Sequence, residues 1–132
     1  MKRSTYLFKK LVFITGAFNF PIGIGLIAQS LITVNPETLI IQTVLGTFLL
    51  FAGASLVWAS RDIQTRAPII VWNALVRAVG FGSVLLTYSI GEIPTTFIPI
   101  AAMDLVLAFV YIIGSVKATE IAFSKLMIGK TN

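Results

Sequence analysis

The sequence contains no cysteine and no histidine among its 132 residues. Without thiols and imidazoles, the chain can form no disulfide and no zinc or haem site that depends on those ligands. Thiolate nucleophiles and histidine bases are excluded for the same reason. We therefore expect no cofactor and no metal, and the sequence carries no sign of its redox compartment.

Charged residues are also scarce in this chain. Only 11% of the residues are charged, whereas 57% are hydrophobic. A soluble domain of this size needs a charged surface around one core, so most of this surface is predicted to face lipid. The net charge of +5 does not indicate nucleic-acid binding, because the basic residues fall at the ends of apolar segments.

Four apolar segments are long enough to cross a membrane, which takes about 20 residues. Turn-forming residues separate them, and Pro68 suits the first turn of the third helix. Because the connections are short, consecutive helices should be antiparallel neighbours. The prediction is an all-α integral membrane protein, a single domain folded as an antiparallel four-helix bundle. The predicted spans are residues 11–33, 39–60, 68–89 and 96–116, followed by a tail, residues 118–132, that suits a short interfacial helix.

The basic residues predict the orientation of the bundle. Nine of the ten lysines and arginines lie on the membrane side that holds the start of the first span, the middle connection and the end of the last span. On the opposite side of the membrane the only charged residues are Glu37 and Glu92. By the positive-inside rule, both termini are cytoplasmic in a multi-pass protein of the cell's cytoplasmic (inner) membrane. A cleaved signal peptide is the alternative for the first span, but Asn19 and Pro21 interrupt its long apolar run. The nine residues are Lys2, Arg3, Lys9, Lys10, Arg61, Arg66, Lys117, Lys125 and Lys130.

Two charges lie inside apolar spans: Arg77 in the third and Asp104 in the fourth. An unpaired charge at a helix centre costs about 2.5–3.5 kcal/mol on the insertion scale, so polar neighbours are expected. Helical spacing places Asn73 on the face of Arg77 and Tyr111 on the face of Asp104, and Asn19 lies at a similar depth in the first span. We predict that these five residues form a polar intramembrane site, with no catalytic residue assigned.

Direct contact between Arg77 and Asp104 is one of two alternatives. At about 1.5 Å per residue from the predicted span ends, Arg77 lies roughly 14 Å and Asp104 roughly 19 Å from the cytoplasmic side. Side chains lean toward their own helix N-terminus, which draws these two apart. Either the flexible arginine closes the gap, or Asn19, Tyr111 or water occupies it.

Three functions are compatible with such a site. The first is binding or transport of a small or amphipathic ligand. The second is a structural or accessory role in a membrane complex, in which the ion pair only fixes helix register. The third is an enzyme acting on a lipid or quinone, which the lack of a nucleophile–base pair disfavours. A homodimer through the small residues Ala74, Ala78 and Gly82 is a further prediction.

The middle of the chain resembles a known class of proteins. The residues concerned are Val57-Trp58-Ala59-Ser60-Arg61-Asp62, then Arg66, and then Trp72-Asn73-Ala74-Leu75-Val76-Arg77. This pattern is similar to that of small, largely uncharacterised bacterial four-span membrane proteins of the DoxX-like kind. The resemblance implies a four-helix bundle in the bacterial cytoplasmic membrane and assigns no chemistry to any residue.

Overall fold

The computed structural model of the protein describes residues 3–132, all of whose regular structure is helical. Lys2, one of the basic residues counted above, lies outside this range. Four of the helices are long and apolar enough to span a membrane, as the sequence predicts. Their bounds are α1 Arg3–Ile32, α2 Leu39–Arg61, α3 Ile63–Ile90 and α4 Phe97–Thr119, and a short helix follows, α5 Phe123–Met127.

The four long helices form two antiparallel hairpins. The first hairpin is α1 with α2, and the second is α3 with α4; within each hairpin the helices pack far more closely than they do between hairpins. We call the end that holds the start of α1, the α2–α3 junction and the end of α4 the basic end. The opposite end, with the turns at residues 33–38 and 91–96, is the far end.

A single residue, Asp62, separates α2 from α3. Its carboxylate accepts hydrogen bonds from the Thr65 hydroxyl (2.6 Å) and the Thr65 amide (3.4 Å), which is the N-cap arrangement. The bond from the Thr65 hydroxyl holds the pKa of Asp62 below its usual value. Helix α3 therefore begins five residues before Pro68, and Pro68 lies inside the helix instead of in its first turn, a correction to the predicted start.

Glycines bring α1 and α2 into backbone contact. A Cβ atom on Gly23 would lie 2.7 Å from the carbonyl oxygen of Gly46, and one on Gly53 would lie 2.7 Å from that of Gly16. The two glycines on each helix are seven residues apart and so share a face. This seam, formed by Gly16, Gly23, Gly46 and Gly53, is the small-residue packing that lets helices approach closely in membranes.

The two hairpins share a hydrophobic core only near the basic end. All five buried residues of α3 lie in its first half, from Ile63 to Ala74, and no residue from 75 to 90 is buried. Cβ atoms added at Gly80 or Gly82 would meet nothing within 4 Å. The hairpins therefore converge at the basic end and leave open space beside the far half of α3.

Two sequence predictions, the homodimer surface and the tail helix, concern residues that pack in this core. Ala74 is fully buried and Ala78 packs against the core, so of the predicted homodimer residues only Gly82 is exposed. In the tail, α5 folds back onto α3 and α4, with Leu126 fully buried. A short helix does follow the last span, and it contributes to the core of the basic end.

The orientation predicts a pattern of chemical labelling, and the absence of native cysteine makes single-cysteine variants suitable probes. With the basic end cytoplasmic, Glu37→Cys and Glu92→Cys should react with a membrane-impermeant maleimide in intact cells. The exposed Ser124→Cys should react only after permeabilisation. Labelling of Ser124→Cys in intact cells, with protection of the other two, would reverse the orientation.

The glycine seam predicts a difference between two neighbouring glycines of α1. Gly23→Ala forces a methyl group against the backbone of Gly46 and should lower the free energy of unfolding by about 1–3 kcal/mol. Gly25→Ala is the matched control, because its Cβ would meet nothing within 4 Å; it should be neutral or stabilise by up to about 1 kcal/mol. Unfolding in mixed micelles measures both, and equal effects would contradict close packing at Gly23.

Candidate functional site

Arg77 and Asp104 are in direct contact. The Arg77 Nη1 donates to Asp104 Oδ1 and forms an ion pair, and the Arg77 Nε donates to Asn73 Oδ1 at 3.1 Å. The guanidinium carbon lies 5.7 Å from the centre of the Tyr111 ring, within cation–π range. Four of the five residues predicted for the polar site are thus brought together.

The direct contact follows from the true ends of the helices. Arg77 lies 14 residues after the start of α3 and Asp104 lies 15 residues before the end of α4, which puts both at roughly 21–23 Å from the basic end. Those two helix ends are level, because the Gln64 side chain donates to the carbonyl of Ala118 at 2.8 Å. The predicted gap of about one helical turn arose from starting α3 at Pro68.

Tyr111 connects the site to the first hairpin. Its side chain is fully buried, and its hydroxyl is hydrogen-bonded to the hydroxyl of Thr15 on α1. Since the Thr15 hydroxyl donates to the carbonyl of Leu11 at 2.8 Å, the Tyr111 hydroxyl is the donor in the bond between them. Thr15 was not predicted as a site residue, although it lies four residues before Asn19 on a common helix face.

Asn19, the fifth predicted residue, lies apart from the ion pair. It is 6% exposed and packs in the glycine seam, where a Cβ on Gly53 would lie 3.0 Å from the Asn19 Cβ. Among residues 3–132, no hydrogen bond joins its side chain to Arg77 or Asp104. Asn19 packs against Gly53 of α2, whereas the Thr15 hydroxyl is hydrogen-bonded to Tyr111 of α4, so two residues of one face of α1 contact two different helices.

The ion pair lies at the boundary between the core and the open space. The side chains of Arg77 and Asp104 are 16% and 29% exposed, although Tyr111 beneath them is fully buried. Arg77 is three residues beyond Ala74, the last buried residue of α3, and Gly80 follows on the same helix face beside open space. The pair is therefore partly exposed and lies one helical turn from the open space beside Gly80.

The pair retains hydrogen-bonding capacity toward that space. A guanidinium has five N–H donors, and two of the Arg77 donors are used by Asn73 and Asp104. A carboxylate accepts several hydrogen bonds, and among residues 3–132 Arg77 is the only donor to Asp104. The site can thus donate to and accept from a polar group while its own net charge is zero.

Comparison with known proteins gives no match: no family model, no curated protein and no solved structure is significantly similar to this chain. The resemblance to DoxX-like proteins therefore stays a prediction from residues 57–77. The functional assignment rests on the geometry of the site itself.

The ion pair predicts non-additive effects on stability. Asp104→Asn leaves the charge of Arg77 without its partner, and Arg77→Gln does the reverse, so each should lower the free energy of unfolding by about 2 kcal/mol. The neutral double variant should cost less than the sum of the two by about 1 kcal/mol or more. Glu92→Gln, an exposed charge at the far turn, is the control and should change stability by less than about 0.5 kcal/mol. Strictly additive effects would show that the pair contributes no coupling energy.

Proposed function

We propose that the protein binds the polar head of a small amphipathic molecule at the Arg77–Asp104 pair, within the membrane. The observation that carries this proposal is the partial exposure of an ion pair to open space on its own helix face. Ionisable residues inside membrane segments commonly mark ligand or ion pathways.

The charge of the site limits which head groups suit it. Arg77 and Asp104 neutralise each other, so an ionic head group would introduce an unbalanced charge into a region of low dielectric constant. A neutral or zwitterionic head group brings no such cost. A group that both donates and accepts, such as a hydroxyl or an amide, can bind the guanidinium and the carboxylate together.

The apolar part of the ligand has a route into the site. Because the far halves of the hairpins diverge, the space beside Gly80 opens toward the surrounding lipid, and an amphipathic molecule can enter sideways. Binding from this direction requires no rearrangement of the core. Transport to the other side would require the hairpins to separate at the basic end and to break the Thr15–Tyr111 hydrogen bond.

The orientation of the protein in the membrane decides from which side the ligand reaches the site. Four helices are long and apolar enough to span the bilayer, and the basic residues favour a cytoplasmic position for both termini. We assign the protein to the cytoplasmic (inner) membrane on this charge pattern. The ligand would then reach the site from the outer half of the bilayer.

An accessory role in a membrane complex is the second candidate. The far half of α3 has no buried residue within this chain, so a helix of another protein, or of a second copy, could fill the same space. In that case the ion pair would bind a polar group of the partner. Co-purification in mild detergent separates the candidates, since a monomer that binds small amphipathic probes contradicts the accessory role.

A single-cysteine protection assay tests the proposed binding site. Gly80→Cys introduces a thiol beside the ion pair, and its alkylation by N-ethylmaleimide is measured in vesicles with octan-1-ol, octanoate or octylammonium. Octan-1-ol should protect best, and at twice its Kd it should slow alkylation about threefold. Gly82→Cys is the matched control, because it also borders open space but points to a different side of α3.

The selectivity among the three probes should follow the charge of the site. In the Asp104→Asn background the site is cationic, and octanoate should become the best protectant. In the Arg77→Gln background octylammonium should take that place. Equal protection at positions 80 and 82, unchanged selectivity in the variants, or no alkylation of Gly80→Cys at all would each contradict the proposal.

A further inference from the structure

A second recess, separate from the ion pair, lies between the two hairpins where α2 faces α3. Its volume is about 530 Å³, within the usual range for sites that hold small molecules. Nearly all of its lining is apolar. Its lining includes Phe48, Phe51 and Trp58 of α2 and Pro68, Trp72 and Val76 of α3.

The length and direction of this groove match one leaflet of a bilayer. The lining of α2 runs from Phe48 to Trp58 and that of α3 from Pro68 to Val76, which corresponds to roughly 12–15 Å along the helix axes. The hydrocarbon core of a bilayer is about 30 Å thick. The groove therefore spans about half of that core, and its long axis is parallel to lipid chains.

The two ends of the groove differ in chemistry. Trp58 lies at the end nearest the α2–α3 junction and is about half exposed, as in the aromatic belts that border lipid head groups. Trp72, also about half exposed, lies midway along the α3 side of the groove. The guanidinium of Arg66 stacks over the Trp58 ring at 4.2 Å and donates to the Trp58 carbonyl at 2.9 Å. The Arg66 guanidinium is thus a fixed positive charge next to the Trp58 end of the apolar groove.

The charge at this end of the groove favours an anion. Arg66 uses one donor nitrogen for Trp58, which leaves further N–H groups of its planar fork for a phosphate oxygen. The nearby Asp62 carboxylate is engaged by Thr65, and the chain carries a large excess of basic residues at this end. A phosphate bound here would meet a net positive surface.

From these observations we propose that the α2–α3 groove is a binding site for an anionic phospholipid, with one acyl chain along the groove and the phosphate on Arg66. The occupant is a lipid of the leaflet that contacts the basic end. The groove adjoins the Arg77–Asp104 site at Asn73, which lines the groove and accepts a hydrogen bond from Arg77. The two sites take ligands of different charge and can be tested separately.

The two tryptophans of the chain both line the groove and make a direct assay available. The protein is reconstituted in phosphatidylcholine vesicles that contain either brominated phosphatidylglycerol or brominated phosphatidylcholine at the same mole fraction, and quenching of tryptophan fluorescence is compared. The brominated anionic lipid should compete for the groove about fivefold better, the factor that corresponds to one basic contact at the membrane surface. The preference should weaken as salt is raised.

Three variants separate a specific site from general lipid contact. Arg66→Gln removes the cation stacked on Trp58 and should abolish the anionic preference. Arg61→Gln changes an exposed arginine at the same end and should retain it. Ala54→Phe fills the groove while Arg66 is unchanged, and it should reduce quenching by both lipids. Equal quenching by the two lipids in the unmodified protein, or a preference that survives in Arg66→Gln, would overturn the proposal.

Discussion

The two hairpins are joined by a single residue, Asp62, and this short connection constrains the rest of the structure. It holds the end of α2 against the start of α3, so the hairpins must meet at the basic end, where the shared core forms. The turns at the far end impose no such constraint. Both the groove between α2 and α3 and the open space beside Gly80 follow from helices that are fixed to one another at one end only.

The polar side chains differ between the packed half of the bundle and its open half. In the filled half, Tyr111 and Thr15 satisfy each other across the hairpins, because an unpaired hydroxyl in a dry core is costly. At the edge of the open half, Arg77 and Asp104 compensate each other's charge but keep donors and acceptors free. Tyr111 and Thr15 are therefore paired inside the core, whereas Arg77 and Asp104 at its edge keep donors and acceptors free.

The sequence was sufficient to predict the number of helices and their antiparallel order, because hydropathy and turn residues are local signals. It misplaced the start of α3, since the polar residues 61–67 resemble a loop, although Asp62 followed by Thr65 is a helix-start signal. That error produced the apparent gap between Arg77 and Asp104. The divergence of the hairpins could not be predicted, because hydropathy does not distinguish an apolar position that faces lipid from one that faces another helix.

Both charges that lie inside the membrane spans belong to the second hairpin, and this distribution has a consequence for biosynthesis. The first hairpin carries no charge within its helices beyond Lys10 until Arg61, so it can enter the bilayer without a charge penalty. The second hairpin contains both Arg77 and Asp104, 27 residues apart. Because their attraction acts within one hairpin, the two charges at the centre of the second pair of helices can neutralise each other before the four-helix assembly is complete.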